Sequence, residues 1–181
     1  MVKQMYSALL LSVLCWGACR TAESIDMATY ARELAQPETQ KATLEQLRDL
    51  ADPTLQPVLL ALQEGSLYQW QGQLLLFTAA GTFVALDGTP LLDAAGQPMM
   101  PETGLEQVAL QQANSALLQR TLDVIQLFAP EPATRAATAL RFGNVQDRGL
   151  LPILQKARQA ERNAEVRQVL DDSLSKLQFA D

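Results

Sequence analysis

The chain has 181 residues, with 14 Lys and Arg against 20 Asp and Glu and no histidine, a formal net charge of −6. That balance argues against nucleic acid and anionic membrane surfaces as partners, since both need a basic footprint. The lack of histidine removes the commonest general base and the commonest metal ligand.

The first stretch, "MVKQMYSALLLSVLCWGACRTAES", carries Lys3, an apolar run from Ala8 to Trp16 and the small residues Gly17 and Ala18. This is the order of a secretory signal, placed at residues 1–22. The run is about ten residues, against the roughly twenty a bilayer-spanning helix needs. A cleaved signal is the reading taken; the alternatives are an uncleaved anchor and a lipoprotein modified at Cys19. Cys15 and Cys19 are the only cysteines, so the exported part, 23–181, has no disulfide and relies on apolar packing. From Glu23 onward the balance is 12 − 20 = −8.

"ATLEQLRDLAD" follows with Leu44, Leu47 and Leu50 at i, i+3 and i+6, one stripe on a helix. Asp52 ends it and is placed to cap the next helix, whose first turn holds Pro57. That helix stops at Gly65. The composition then changes: "LYQWQGQLLLFTAAGTFVALDGTPLLDAAGQP", 67–98, breaks short apolar runs with glycine turns. It predicts an antiparallel β-meander with strands at 67–70, 73–78, 82–86 and a shorter one at 89–93. Asp87-Gly88 is the expected type I′ turn, which needs positive φ at both positions. If Tyr68 and Trp70 are exposed, the tip of this insert is a docking surface; aromatics in strands more often face a core.

"PETGLEQ", Pro101 to Gln107, is expected to return the chain to helix. Leu110, Leu117, Leu118, Leu122, Ile125 and Phe128 continue at helical spacing, with a break at Asn114-Ser115 where Ser115 caps a new helix. After Pro130-Glu131-Pro132 comes a helix with Ala136, Ala139 and Leu140 on one face. Then the first joint recurs: Asp52-x-x-Leu55-x-Pro57-Val58-Leu59 is matched by Asp147-x-x-Leu150-x-Pro152-Ile153-Leu154. A last helix places Val166, Leu170, Leu174 and Leu177 together and ends in "LQFAD", much as the first unit ended in "LRDLAD". The predicted fold is mainly α, a HEAT-like helical-repeat stack with a small inserted antiparallel β-meander.

Nothing in the spacing suggests catalysis. No phosphate loop or nucleophile elbow is present, and the only adjacent carboxylates, Asp171-Asp172, point in different directions on a helix. The chain is read as a non-enzyme, with no catalytic, cofactor-binding or metal residues and no cofactor.

The ordered series of an export signal, a helix pair leaving through "LLALQEGSLYQW", a β-segment with "LDGTPLLDAAGQP" and then "LLPILQKA" resembles the N-terminal extension of urea-type ABC transporter permeases. These belong to the branched-chain amino-acid permease family. The resemblance covers nearly all of the chain and none of the membrane-spanning permease. It implies a role in urea import at the periplasmic face of the bacterial inner membrane. The implied partners are the second permease, the ATPases and the substrate-binding protein, with the membrane reached through a part beyond this sequence. The alternative is a free-standing exported HEAT-like binding or scaffold protein. Export should remove about 18 to 24 residues, the length such a signal occupies. Mass spectrometry of material from an exporting host reads this directly; an intact Met1 in the membrane fraction means an anchor, and a diacylglyceryl mass on Cys19 a lipoprotein.

Overall fold

The computed structural model describes residues 27–145 and 147–179. They are mostly helical and carry one small antiparallel sheet. The expected signal at 1–22 lies outside them. Helices α1 (Met27–Ala35), α2 (Pro37–Leu50) and α3 (Gln56–Glu64) come first. Strands β1 (Leu67–Trp70), β2 (Gln73–Phe77), β3 (Phe83–Ala85) and β4 (Leu105–Gln107) follow, and then α4 (Ser115–Ile125), α5 (Pro132–Val145), α6 (Leu151–Ala160) and α7 (Ala164–Gln178).

The two joints are built alike. Asp52 takes an extended backbone and its Oδ1 accepts from the Thr54 amide at 2.8 Å. Asp147 does the same toward the Gly149 amide at 2.9 Å. Each carboxylate caps a three-residue 3-10 turn rather than the α-helix, and the proline-bearing helix grows from that turn. The motif leucines are buried at both sites: Leu55 and Leu59, Leu150 and Leu154. Pro57 and Pro152 sit where the amide has no intrahelical partner.

The likeness reaches back into the preceding helices at a constant spacing of 95 residues. Pro37 and Pro132 both open their helices, which are each 14 residues long. Thr39 matches Thr134, Ala42 matches Ala137, and Thr43 matches Thr138, the last two threonines both buried. A third helix completes each group: α4 packs on both α2 and α3, and α7 on both α5 and α6. In the second group only residues 161–163 separate the second helix from the third. In the first, residues 65–114 stand at that point, and these hold the sheet.

Two apolar clusters fill the groups. The first joins Leu44, Leu47, Leu59 and Leu62 to Leu118, Leu122 and Ile125 of α4, and takes in Leu67, Leu74 and Val108 from the insert. The second joins Ala139, Phe142, Leu154, Val166, Leu170 and Leu177 to Val124, Leu127 and Ala51. So α4 faces both cores. The α5–α7 crossing is close because Gly143 has no side chain: a Cβ there would lie 2.7 Å from that of Ser173.

Several expectations need correction. The sheet order is β3-β2-β1-β4, a three-strand meander whose fourth member is Leu105–Gln107, in the stretch expected to be helix. Pairing of Leu105, Glu106 and Gln107 with β1 satisfies their backbone, which overrides the helical look of "PETGLEQ". At 89–93 only isolated bridges form, Val84↔Pro90 and Leu92↔Pro98, because the prolines cannot donate to a ladder. Of Asp87-Gly88 only Gly88 has positive φ. Its amide bonds to Ala85 O and the Ala85 amide to Thr89 O, a three-residue loop rather than a type I′ turn. The same bonds recur around Gly81 and Gly96. The two-residue turn is Gln71-Gly72, with φ 49 and 77 between the paired Trp70 and Gln73. Leu110 precedes the helix, Ser115 is its first residue rather than its cap, and Leu140 is 49% exposed, its expected place being taken by Phe142.

Asp52→Ala and Asp147→Ala should each cost about 0.5–2 kcal/mol, the range for a lost cap, while Pro57→Ala and Pro152→Ala should cost less. Gly88→Val should disturb the insert and leave helical content in place, since a β-branched residue is strained at φ +83. Urea melts followed by circular dichroism measure all of these. A neutral Asp147→Ala beside a costly Asp52→Ala would refute the equivalence of the joints.

Candidate functional site

The most polar part of the interior is a pair of clasps, one in each helical group. Gln40, 1% exposed, sits in the first turns of α2. Its Nε2 donates to Leu34 O and Ala109 O, both at 3.0 Å. Its Oε1 accepts from the Gln111 amide at 2.9 Å and from Asn114 Nδ2 at 3.0 Å. One side chain thus ties the end of α1 and the start of α2 to the segment returning from the insert.

Arg135 stands 95 residues later and does the corresponding work. Its Nη1 donates to Ala129 O and Pro130 O, both at 2.8 Å, and Ala129 is itself 95 residues beyond Leu34. Its Nε and Nη2 reach the two Glu161 oxygens at 2.6 and 2.9 Å. Glu161 Oε1 also accepts from the Arg162 and Asn163 amides, and Asn163 caps α7. The hydrogen bonds from Arg135 hold the Glu161 carboxyl down at about 2, from 4.5, against the opposing pull of burial.

Where the groups meet, a cleft of about 470 Å³ is lined by Arg48, Asp49, Arg120, Asp147 and Lys156 over Val124, Leu150 and Ile153. Lys156 Nζ donates to Asp49 O and Leu50 O at 3.0 and 3.1 Å, closing the C-terminus of α2 from the second group, and lies 5.7 Å from the Phe128 ring centre. Asp147 turns its second oxygen toward Arg120 at 3.5 Å. Asp147 thus serves a cap and Lys156 two carbonyls, while Arg48 pairs with Asp49 at 2.9 Å. The charges that line this cleft are placed to meet polar groups.

No family model, curated protein or solved structure matches this chain.

Among the described residues no group of three or more Cys, Asp and Glu is disposed to hold a metal ion. Asp171 and Asp172 are not brought together: Asp171 accepts from Arg158 Nε at 2.6 Å on an exposed face, raising the Arg158 pKa above its ordinary value. Tyr68 and Trp70, the aromatics considered for docking, are half-buried. Tyr68 packs edge-on against Phe77 and Phe83, and Trp70 Nε1 donates to Thr103 O. Sequence reading missed Gln40, Arg135, Glu161 and Lys156. The 95-residue spacing aligns Gln40 with Arg135, but because the two residue types differ the spacing alone singles out neither.

Because the folded-state pKa of Glu161 is depressed, its stabilisation is present above about 4.5 and is lost as pH falls through about 2. Stability should fall across that window, and Glu161→Gln should flatten the fall while keeping the oxygen that caps Asn163. Denaturant melts at a series of acid pH values test this; an unchanged slope in Glu161→Gln would show that other groups govern it.

Proposed function

We propose that this chain is the extracytoplasmic, N-terminal portion of a urea-type ABC transporter permease, and that its two helical groups are HEAT-like repeats. The observation that carries the reading is the place of the β-excursion. The quoted "LQEGSLYQW" is the end of α3, the left-handed Gly65 and β1, so the insert leaves the helices at the segment on which the resemblance rests. The "DGTPL" stretch forms the Gly88 turn and the Val84↔Pro90 bridge within it. Repeated joints and recurrent clasps support a repeat origin for the helices.

Residues 27–179 would then support and contact the other subunits, the second permease, the ATPases and the substrate-binding protein, at the periplasmic face of the inner membrane. The transport path itself belongs to the family's membrane helices. No described helix is long and apolar enough to cross a membrane.

The coding sequence beyond the Asp181 codon decides between this and a free-standing exported scaffold. Several apolar runs of about twenty residues are expected there; a stop codon after one further helix would overturn the permease reading. Calorimetric titration of the chain with millimolar urea should give no saturable heat, since in the seam cleft Asp147 and Lys156 already serve a cap and two carbonyls and Arg48 pairs with Asp49. Tight saturable binding would move substrate recognition into this domain.

A further inference from the structure

The helical group α5–α7 closes with residues 161–163 between its second and third helices. The group α2–α4 has residues 65–114 at the same point, so joining these three helices does not call for an insert of that size. Its inner face is used as core, through Leu67 and Leu74. Its far end is not. Leu92 is 48% exposed, Met100 56% and Phe77 37%, half of the large apolar residues that stand exposed among those described. They belong to one stretch of ladder. Phe77 pairs with Phe83, the Leu91 amide bonds to Phe83 O, and the Met99 amide to Leu91 O. Leu92 lies on the turn side of that last pair, opposite Pro98, and Met100 lies next to Met99 on its other side.

Charge singles out the same region. From Arg48 to Arg120 the sequence has no Lys or Arg, and the insert contributes Asp87, Asp93, Glu102 and Glu106, all exposed. Asp87 lies at the end nearer the helices, in a groove that Arg32 of α1 also lines. Asp93 and Glu102 flank the exposed apolar residues in the chain, with nothing basic in the insert to offset them. Asp93 Oδ1 is held by the amides of Ala95 and Gln97, which fixes its carboxylate on the turn. Apolar residues rimmed by charges of one sign are the make-up of an interface rather than of a merely solvated loop.

We propose that the far end of the insert, Leu92, Met99 and Met100 with Asp93 and Glu102, docks a protein segment that presents Lys or Arg around an apolar stripe. Complementary charge steers such a partner, and the exposed Leu92 and Met100 with the half-buried Met99 supply the apolar contact, Met being adaptable to an irregular partner surface. An anionic bilayer is disfavoured by the same carboxylates. This inference stands apart from the transport assignment and holds for a permease domain or a free scaffold alike.

The test uses the full chain and two labelled peptides, one alternating leucine with lysine and one alternating leucine with glutamate, followed by fluorescence anisotropy. The lysine peptide should bind and the glutamate peptide should not. Binding should weaken by about tenfold or more in Asp93→Asn/Glu102→Gln and again in Leu92→Ser/Met100→Ser, as expected for losing charged and apolar contacts at one interface. Glu165→Gln/Asp172→Asn removes the same charge from α7 and should leave binding unchanged. Circular dichroism checks that each variant keeps its helices; a variant that loses them is replaced by the single substitution Met100→Ser. Equal weakening by the α7 variant would reduce the effect to net charge and overturn the proposal, as would insensitivity to the apolar changes. Binding to phosphatidylglycerol vesicles that Leu92→Ser/Met100→Ser abolishes would replace the protein partner by a membrane.

Discussion

Three separate chain segments bring polar groups to the Gln40 amide: the end of α1 through the Leu34 carbonyl, the strand-to-helix return through the Ala109 carbonyl and the Gln111 amide, and the head of α4 through the Asn114 side chain. A buried carbonyl or amide left unpaired costs about 1–3 kcal/mol, so one side chain that pairs several of them governs much of the local geometry. An insert of any length can leave the helices at Gly65. It can rejoin them only if its last residues bring a carbonyl and an amide to Gln40. That requirement fixes where β4 ends and where α4 begins, and through α4 it reaches the second core by Val124 and Leu127.

The second group meets the same requirement with charge. Arg135 and Glu161 are largely buried, and removing two such ions from water is expensive unless the remaining donors and acceptors are filled. Here they are filled: the guanidinium also serves Ala129 O and Pro130 O, and the carboxylate serves two amides. An ion pair and a neutral amide thus occupy equivalent places because both supply donors to the preceding carbonyl and a link to the next helix. The ionic version responds to acid, and the amide version does not titrate.

This substitution also limits what the sequence displays. The joints are legible because capping and first-turn proline are local demands that few residue types satisfy: Asp at 52 and 147, Pro at 57 and 152. The first three strands are legible because Gln71-Gly72 and Gly81 mark their ends. β4 is not, since Leu105, Glu106 and Gln107 carry no alternation and become a strand only by meeting β1. The clasp is hidden for a related reason. Gln40 and Arg135 share a role defined by what they reach, and beyond the nearby Leu34 and Ala129 carbonyls their partners lie 69 to 74 residues away for Gln40 and 26 for Arg135. Leu140 misled because helical period alone cannot tell which of two adjacent stripes faces α7; the close approach at Gly143 decides it, turning Ala139 and Phe142 inward.

The insert is therefore neither an independent domain nor a decoration. Leu67, Leu74 and Val108 lie in the same cluster as Leu59, Leu62 and Leu118, so helices and sheet share one core and should unfold together there. Beyond those residues the coupling fades. The turns around Gly88 and Gly96 satisfy their own backbone through local bonds, with Asp87 and Asp93 accepting from amides within the same turns. Local satisfaction leaves such a segment free to vary in surface chemistry at little cost to the core. The inner end of the insert is bound by packing and by Gln40, whereas its outer end is held by its turns and by the short bridges that join Phe83, Leu91 and Met99. A chain built this way can alter what the outer end presents while the helical groups keep their joints, clasps and cores.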